Sequence, residues 1–408
     1  MDIFDKFSTL KSRSDIVKKL GVDPFGVKFD KITHATRGMI GNREIVLAGT
    51  NNYLGLTFDP DCMDASIEAI KKHGTGTTGS RIANGSYEEH IDLENALAKH
   101  TGMKSAIIFS TGFQTNLTAI ATLAGPDDVL FIDADSHACI VDGARLSAAS
   151  TIRFRHNSPE NLDKRLSRQG EIENGIALVV IEGLYSMFGD KAPIKDFVKV
   201  CKKHGAYLFV DEAHSYGIYG STGCGLAEEE GVLDQVDFIS GTFSKSLASI
   251  GGFCLSKHEG FEITRKAMRA YMFTASPTPS NVASARAALE KIKSRPELRE
   301  NLIARAEQIH KGLSDLGFEL CADPSPIIAV RRPNEVIAAT EWNWLMENGV
   351  YVNLAVPPGT PQSSSLLRIS LSAAHTKEDI HIILGKFAQM QEKSDALIAK
   401  AMEVIAAQ

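Results

Sequence analysis

The sequence predicts an α/β fold, with a mostly parallel seven-stranded sheet flanked by helices and a smaller C-terminal α+β domain. Between residues 105 and 256, seven short apolar runs are mostly continuous, as expected for strands buried on both faces. Helix-like stretches generally separate these runs, which favours parallel pairing. After about residue 285, helices alternate with shorter strand-like runs. We therefore expect an N-terminal segment at 1–50, a large domain at 51–285 and a C-terminal domain at 286–408.

The individual elements follow from local patterns in chain order. A helix is predicted at 62–73, and Pro296 interrupts a helical pattern that runs through 287–294 and resumes at 302–316. The predicted strands of the large domain are 106–109, 129–132, 151–155, 177–181, 206–210, 236–240 and 252–256, and those of the C-terminal domain are 326–331, 351–354 and 366–372.

Composition and charge restrict the class of protein. With 408 residues, 43% hydrophobic and 23% charged, the chain is typical of globular proteins. A formal net charge of −6 argues against nucleic acid as the main partner. The six cysteines form no C-x-x-C pair, which predicts reduced thiols in a cytoplasmic protein and neither a disulfide framework nor a metal site.

The N-terminus is charged from its first residues and lacks a long apolar stretch. This pattern predicts neither a signal peptide nor a transmembrane segment. Apolar residues recur between Phe4 and Leu20 and predict an amphipathic helix. Core or subunit packing is the favoured interpretation, and peripheral contact with a membrane stays open.

A lysine and an acid stand at the ends of neighbouring predicted strands. Asp211 follows the fifth run, and the segment Gly-Thr-Phe-Ser-Lys, which ends at Lys245, follows the sixth. In such sheets the ligand site lies beyond the carboxyl ends of the strands. A pyridoxal phosphate (PLP) site needs an amine for the aldehyde and a carboxylate for the pyridine nitrogen. The two residues therefore predict a PLP enzyme.

Other polar residues fall at the same predicted edge. Segment 110–116 follows the first strand and opens a helix, which suits a phosphate ester. His137 lies just past the second strand and could stack on a pyridine ring. His214 and Ser186 could each bind the phenolic oxygen of that ring. Arg368 stands in the last apolar strand, where its partner is either an internal acid or a substrate carboxylate.

Two further motifs match known patterns only in their letters. Segment 74–79 reads G-x-G-x-x-G, but a predicted helix precedes it where a dinucleotide fold needs a strand. Segment 211–214 reads DEAH, yet the chain contains no G-x-x-x-x-G-K-[ST] motif upstream. Neither a dinucleotide-binding protein nor a helicase is predicted.

Taken together, these motifs resemble the α-oxoamine synthases from about residue 45 to about residue 385. Closer cues match the bacterial members that act on L-serine. The segments that carry the resemblance are 51–56, 74–81, 110–113, His137, 185–190, 211–217, 241–246 with 251–253, 271–276, 351–353 with 357–361, and Arg368.

The resemblance implies a fold-type I PLP enzyme that forms a homodimer with active sites at the subunit interface. Lys245 is then the Schiff-base lysine and catalytic base, assisted by His137 and His214, and Asp211 pairs with the pyridine nitrogen. The other implied roles are ring stacking by His137, contact with the phenolic oxygen by His214 and Ser186, phosphate binding by Gly112, Phe113, Thr242 and Ser244, a contact from the partner subunit by Thr274, and carboxylate binding by Asn52 and Arg368.

The implied reaction condenses L-serine with a long-chain, palmitoyl-like acyl-CoA. It gives 3-ketosphinganine, CoA and CO2, the first step of sphingolipid biosynthesis. Family members that use other amino acids share the motifs and stay as alternatives: 8-amino-7-oxononanoate synthase with alanine, and 2-amino-3-ketobutyrate CoA ligase with glycine. A catalytically silent regulatory subunit on the same fold is disfavoured, because Lys245, Asp211 and His137 are all present.

Overall fold

The structure, a computed structural model, describes residues 2–24 and 26–406. Across these residues no helix is both long and apolar enough to span a membrane. The chain divides into two compact units. The domains expected from sequence, at 1–50, 51–285 and 286–408, stay a prediction. The larger unit comprises Leu54–Ser186 and Asp190–Glu300, and the smaller comprises Met1–Tyr53, Met187–Gly189 and Asn301–Gln408.

The strands are numbered along the chain. They are β1 (Lys31–His34), β2 (Arg37–Ile40), β3 (Arg43–Leu47), β4 (Ser105–Phe109), β5 (Val129–Asp133), β6 (Ser150–Phe154), β7 (Ala177–Glu182), β8 (Tyr207–Asp211), β9 (Phe238–Thr242), β10 (Gly252–Ser256), β11 (Ile327–Arg332), β12 (Val350–Tyr351), β13 (Asn353–Ala355) and β14 (Ser365–Ser370).

The helices are numbered in the same way. They are α1 (Ser8–Lys19), α2 (Pro60–His73), α3 (Glu88–Thr101), α4 (Gly112–Leu123), α5 (Ala138–Leu146), α6 (Pro159–Gln169), α7 (Ile194–His204), α8 (Leu226–Glu229), α9 (Arg269–Met272), α10 (Pro279–Ser294), α11 (Glu297–Asp315), α12 (Glu335–Glu347), α13 (Lys377–Glu392) and α14 (Ser394–Ala406), with 3-10 turns at Asp5–Phe7, Leu56–Phe58, Leu233–Gln235, Glu259–Lys266 and Pro361–Ser363.

The larger unit contains a seven-stranded sheet in the order β4-β10-β9-β8-β7-β5-β6. Strand β10 runs antiparallel to both of its neighbours, and the other pairs are parallel. Every residue of β5 and β7 is buried, as their continuous apolar runs predict. The predicted mostly parallel seven-stranded sheet is therefore confirmed. Six strands place their carboxyl ends at one edge.

The smaller unit holds two sheets, in the orders β1-β2-β3-β12 and β11-β14-β13. Strand β12 pairs in parallel with β3, where Val350 lies opposite Val46. An N-terminal meander and a C-terminal strand thus share one sheet. Strand β14 is buried along its whole length between two antiparallel neighbours.

Three elements illustrate how the observed bounds compare with those predicted from sequence. Strand β9 runs two residues further than expected, so Thr242 is its last residue. Helix α10 begins at Pro279 because the Thr278 side chain accepts a hydrogen bond from the amide of Asn281 and caps the helix. The helix predicted before Gly74 is present as α2, which confirms that segment 74–79 follows a helix.

The N-terminal helix α1 and the cysteines were both subjects of prediction. Val17 is buried in α1, whereas Phe4, Phe7 and Leu10 are exposed. The predicted packing of this segment against a core or a second subunit stays a prediction.

All six cysteines are free thiols, and only Cys321 is not fully buried.

Candidate active site

The predicted site residues of the larger unit meet at the carboxyl edge of its sheet. A cavity of about 360 Å³ opens there, beside the ends of β4, β5, β7, β8 and β9. Lys245, Asp211, His137 and His214 line this cavity. Gly112, Phe113, Thr242 and Ser244 line it as well.

Asp211 is the last residue of β8 and is only 5% exposed. Its Oδ1 accepts a hydrogen bond from the amide of Ala213 at 2.8 Å, and its Oδ2 accepts one from Asn116 Nδ2 at 2.5 Å. Two donors therefore hold both oxygens of this buried carboxylate at the cavity wall.

His137 caps the first turn of α5 from the end of the loop after β5. Its amide donates to Glu182 Oε1 at 2.6 Å, and the ring lies edge-on to Phe113, with centroids 6.3 Å apart. Burial lowers the pKa of His137, the charge of Asp211 opposes this effect, and the charge of Lys245 adds to it. The imidazole is therefore neutral at physiological pH.

The N-terminus of α4 faces hydroxyl groups at the end of β9. Thr111 caps α4 by accepting a hydrogen bond from the amide of Gln114 at 3.1 Å. Thr242 Oγ1 lies 2.8 Å from Ser244 Oγ. A Cβ at position 112 would lie 2.6 Å from the Cβ of Thr242, so only glycine permits this approach. Amides at a helix start beside hydroxyls form a site suited to a phosphate.

Lys245 lies on a short loop that joins β9 to β10. The loop is closed by hydrogen bonds from the amide of Phe243 to Gly251 O and from Ser249 to Phe243 O, both 2.9 Å. The fully buried ring of Phe243 stacks on that of Phe253. The backbone that carries the lysine is therefore anchored on both sides.

His214 lies on the segment after β8 and is 6% exposed. Beside it, the buried carboxylate of Glu212 accepts hydrogen bonds from Ser215 Oγ and from the amides of Leu226 and Ala227. Burial raises the pKa of Glu212 to about 7, although these donors lower it. Glu212 thus anchors the segment that carries His214.

Ser186 and Thr274 belong to the larger unit but are not among the side chains that line the cavity. Ser186 lies in the turn after β7. Thr274 is half-buried, and the next residue, Ala275, accepts a hydrogen bond from Ser110 Oγ at 2.5 Å. Their predicted roles stay predictions.

Asn52 and Arg368 belong to the smaller unit. Arg368 is 6% exposed in β14, and it donates to Ser370 Oγ at 2.6 Å and to Asn51 Oδ1 at 3.5 Å. Burial lowers its pKa, and the hydroxyls of Tyr53 and Tyr351 raise it. Their assignment to a substrate carboxylate remains a prediction.

Three of the cavity residues that the sequence-based prediction gave no individual role are Asn116, Cys139 and Glu182, although Asn116 lies in the segment 110–116 that was predicted to bind phosphate. Asn116 stands one helical turn after Gly112 on α4, and Cys139 stands two residues after His137. Glu182 ends an apolar run with an acid, which is the same signal that identified Asp211. The signal was present for Glu182, whereas an asparagine and a cysteine carry no comparable pattern.

Comparison with known proteins identifies the family. Residues 43–387 match the model for aminotransferase class I and II. The chain is 50% identical over 390 residues to a serine palmitoyltransferase of Caulobacter vibrioides, covering 96% of each chain. It is 45% identical to a serine palmitoyltransferase of Sphingomonas paucimobilis, covering 95% of this chain and 92% of that one.

A solved structure is similar over nearly the whole chain. It is described as a high-resolution structure of SPT with the PLP internal aldimine, and it is 44% identical to this chain with a TM-score of 0.94. The match covers 97% of this chain and 100% of that one. These findings confirm the resemblance to the α-oxoamine synthases and the fold-type I architecture. The chain belongs to the aminotransferase class I and II family, and its relatives include bacterial serine palmitoyltransferases.

Proposed function

We propose that this protein is a PLP-dependent acyltransferase that condenses L-serine with a long-chain acyl-CoA. The products are 3-ketosphinganine, CoA and CO2, as in the first step of sphingolipid biosynthesis. The observation that carries the proposal is the single cavity that brings together Lys245, Asp211 and His137. The serine palmitoyltransferase relatives, at 45% and 50% identity, supply the substrate class.

The residues of the cavity fit PLP. A volume of about 360 Å³ lies within the usual range for small-molecule sites, roughly 300–1,000 Å³. The buried Oδ1 of Asn116 has no hydrogen-bond partner among the residues that the structure describes, as expected where a ligand completes a polar site. The amides that open α4 and the hydroxyls of Thr242 and Ser244 suit its phosphate.

PLP, when bound, supplies an electron sink that stabilises negative charge on the Cα of an amino acid. The protein's own residues then have distinct tasks. Asp211 would keep the pyridine nitrogen protonated, and His137 would stack on the ring. His214, which lines the cavity, and Ser186, in the turn after β7, would bind the phenolic oxygen. Gly112 and Phe113 would bind the phosphate.

Lys245 Nζ is the base that takes the Cα proton of serine. A new bond then joins that Cα to the acyl carbonyl carbon, and the thioester C–S bond breaks to release CoA. Loss of the serine carboxylate as CO2 leaves an electron pair that a proton replaces.

A substrate matrix tests the proposal. Purified protein is incubated with serine, alanine or glycine and with acyl-CoA of different lengths, and CoA release is measured. We expect turnover with serine and long-chain acyl-CoA, and no turnover with Lys245→Ala. Turnover with alanine or glycine but not serine would assign the chain to another member of the family, and a colourless protein that PLP does not reconstitute would support a silent subunit.

The active form is proposed to be a cytoplasmic homodimer with Thr274 facing the partner subunit. Phe273, next to it, is 74% exposed, and Met63, Ile67 and Ile70 leave an exposed apolar stripe on α2. Such patches on the larger unit support a protein interface. The free thiols support a reducing compartment. Sedimentation of the purified protein tests the dimer, and a monomer with full activity would contradict it.

A further inference from the structure

Asn116 and Cys139 connect Asp211 and His137, the two residues proposed to contact the PLP ring. Asn116 Nδ2 donates to Asp211 Oδ2 at 2.5 Å and to Cys139 Sγ at 3.2 Å. Cys139 Sγ in turn lies 2.9 Å from His137 Nδ1. An unbroken series of hydrogen bonds therefore runs from Asp211 to His137 along the cavity wall.

The donors in this series can be assigned. Asp211 is a carboxylate, so the nitrogen of the Asn116 amide must face it, because the amide oxygen would repel it. His137 Nδ1 also accepts a hydrogen bond from the amide of Cys139 at 3.2 Å, so Nδ1 carries no proton. The thiol of Cys139 is therefore the donor to Nδ1, and the ring proton lies on Nε2.

Burial supports this direction of donation. Asn116 is 4% exposed and Cys139 is 3% exposed. Burial, followed by the charge of Asp211, raises the pKa of the Cys139 thiol, so the thiol keeps its proton. The amide of His137 is held separately by Glu182 Oε1 at 2.6 Å, which leaves the ring torsion to Cys139.

We propose that Asn116 and Cys139 are positioning residues for PLP, because they fix the Asp211 carboxylate toward the pyridine nitrogen and hold His137 in the Nε2-H tautomer. The inference rests on the proposed function only for the identity of the cofactor. Neither residue takes part in the reaction itself. Their effect is on how tightly and in which geometry PLP is bound.

The test measures PLP binding separately from turnover. PLP is removed from the purified protein and titrated back, with its visible absorbance as the readout, for Cys139→Ala, Cys139→Ser and Asn116→Leu. Cys201→Ala is the matched control, because Cys201 is 2% exposed in α7 and does not line the cavity. The melting temperature of each PLP-free protein reports any general loss of stability.

We expect Cys139→Ala to raise the dissociation constant of PLP by about threefold to tenfold, since the weak thiol hydrogen bonds to Asn116 and His137 are lost. Cys139→Ser, which keeps a donor and an acceptor, should restore it to within about twofold. Asn116→Leu should raise it by on the order of tenfold. A double variant that combines Asn116→Leu with Cys139→Ala should show less than the product of the two single effects.

Unchanged PLP affinity in Cys139→Ala would overturn the inference. So would a serine variant no better than the alanine variant, or an equal effect of Cys201→Ala. These results are independent of the acyl substrate. If the proposed function were wrong, the unaltered protein would bind PLP and release no CoA with serine, which is a different outcome. Should Asn116→Leu fail to fold, the three cysteine variants decide the matter alone.

Discussion

His156 lies between two carboxylates of the larger unit and provides a strong test of its electrostatics. Its Nδ1 is 2.8 Å from Asp133 Oδ1, and its Nε2 is 2.7 Å from Asp190 Oδ2. Burial alone would lower the pKa of His156, but the hydrogen bonds and charges of the two acids raise it to about 10. We therefore expect an imidazolium at neutral pH, and His156→Gln is the change that removes it.

The pKa shift fixes both the size and the pH range of the effect. Because the folded-state pKa of about 10 exceeds the ordinary value of 6.5, the stabilisation is full below pH 6.5 and is lost as pH rises through 10. A single group with these two pKa values contributes about 4 kcal/mol at pH 6.5 and about 1 kcal/mol at pH 9.5. The contribution should therefore fall by about 3 kcal/mol over this range.

Urea unfolding of the unaltered protein and of His156→Gln at both pH values measures this difference. Groups common to both proteins cancel, so the gap between their unfolding free energies should shrink as pH rises. The control is His204→Gln, which removes a histidine that lies 2.6 Å from Asp163 outside this cluster. A gap that stays constant from pH 6.5 to 9.5 would refute the imidazolium.

Three further changes test other parts of the structure. The unaltered protein should lose about 3 kcal/mol of unfolding free energy as pH rises from 4.5 to 7, because burial raises the pKa of Glu212 to about 7. Glu212→Gln should remove this loss. Urea-unfolding free energies that change equally with pH in the two proteins would contradict this. Gly112→Ala should weaken PLP binding by on the order of tenfold, because the new Cβ would clash with Thr242. Gly76→Ala is the control, because open space surrounds that position and PLP affinity should not change. Equal PLP affinities in the two variants would contradict the close approach of Gly112 to Thr242. Arg368→Lys should raise the KM for serine by about tenfold through loss of a bidentate contact, while Arg331→Lys in β11 leaves it unchanged; an unaltered serine KM would remove Arg368 from the substrate site.

The sheet was predictable from sequence because most of its strands are buried on both faces, although the edge strand β6 is largely exposed. A continuous apolar run such as 177–181 shows neither helical nor alternating periodicity, so it predicts a strand that is buried on both faces. The order of the strands was not predictable, since pairing of β10 between β4 and β9 depends on contacts far apart in sequence. The start of α10 was missed because the Thr278-Pro279 capping signal precedes the helical periodicity.

The site was predictable where one residue type has one chemical use. Lys245 and Asp211 were found because PLP chemistry needs an amine and an acid at neighbouring strand ends. Asn116 is hydrogen-bonded to Asp211 and Cys139 to His137, and the partners of an amide or a thiol become visible only in three dimensions. Sequence thus located the residues proposed to contact PLP better than those proposed to orient them.

Glu182 and Asp211 are two neighbouring acids of the site that differ in protonation. They end adjacent strands and face each other in register as the last pair of β7 and β8. Burial, followed by the charge of Asp211, raises the pKa of Glu182 well above its ordinary value. Two carboxylates so close in a buried site cannot both ionise readily, so Glu182 keeps a proton and Asp211 carries the charge.

Amide substitutions of the two acids test this division. A protonated carboxyl and an amide each offer one oxygen acceptor and a donor, so Glu182→Gln should still accept the amide hydrogen of His137 and keep PLP affinity within about threefold. Asp211→Asn removes the charge that holds the pyridine nitrogen protonated, and it should weaken PLP binding by on the order of a hundredfold. Equal losses in the two variants would mean that Glu182 is ionised. In that case the negative charge at the cavity would be shared between β7 and β8, and Asp211 alone could not set the protonation of the ring.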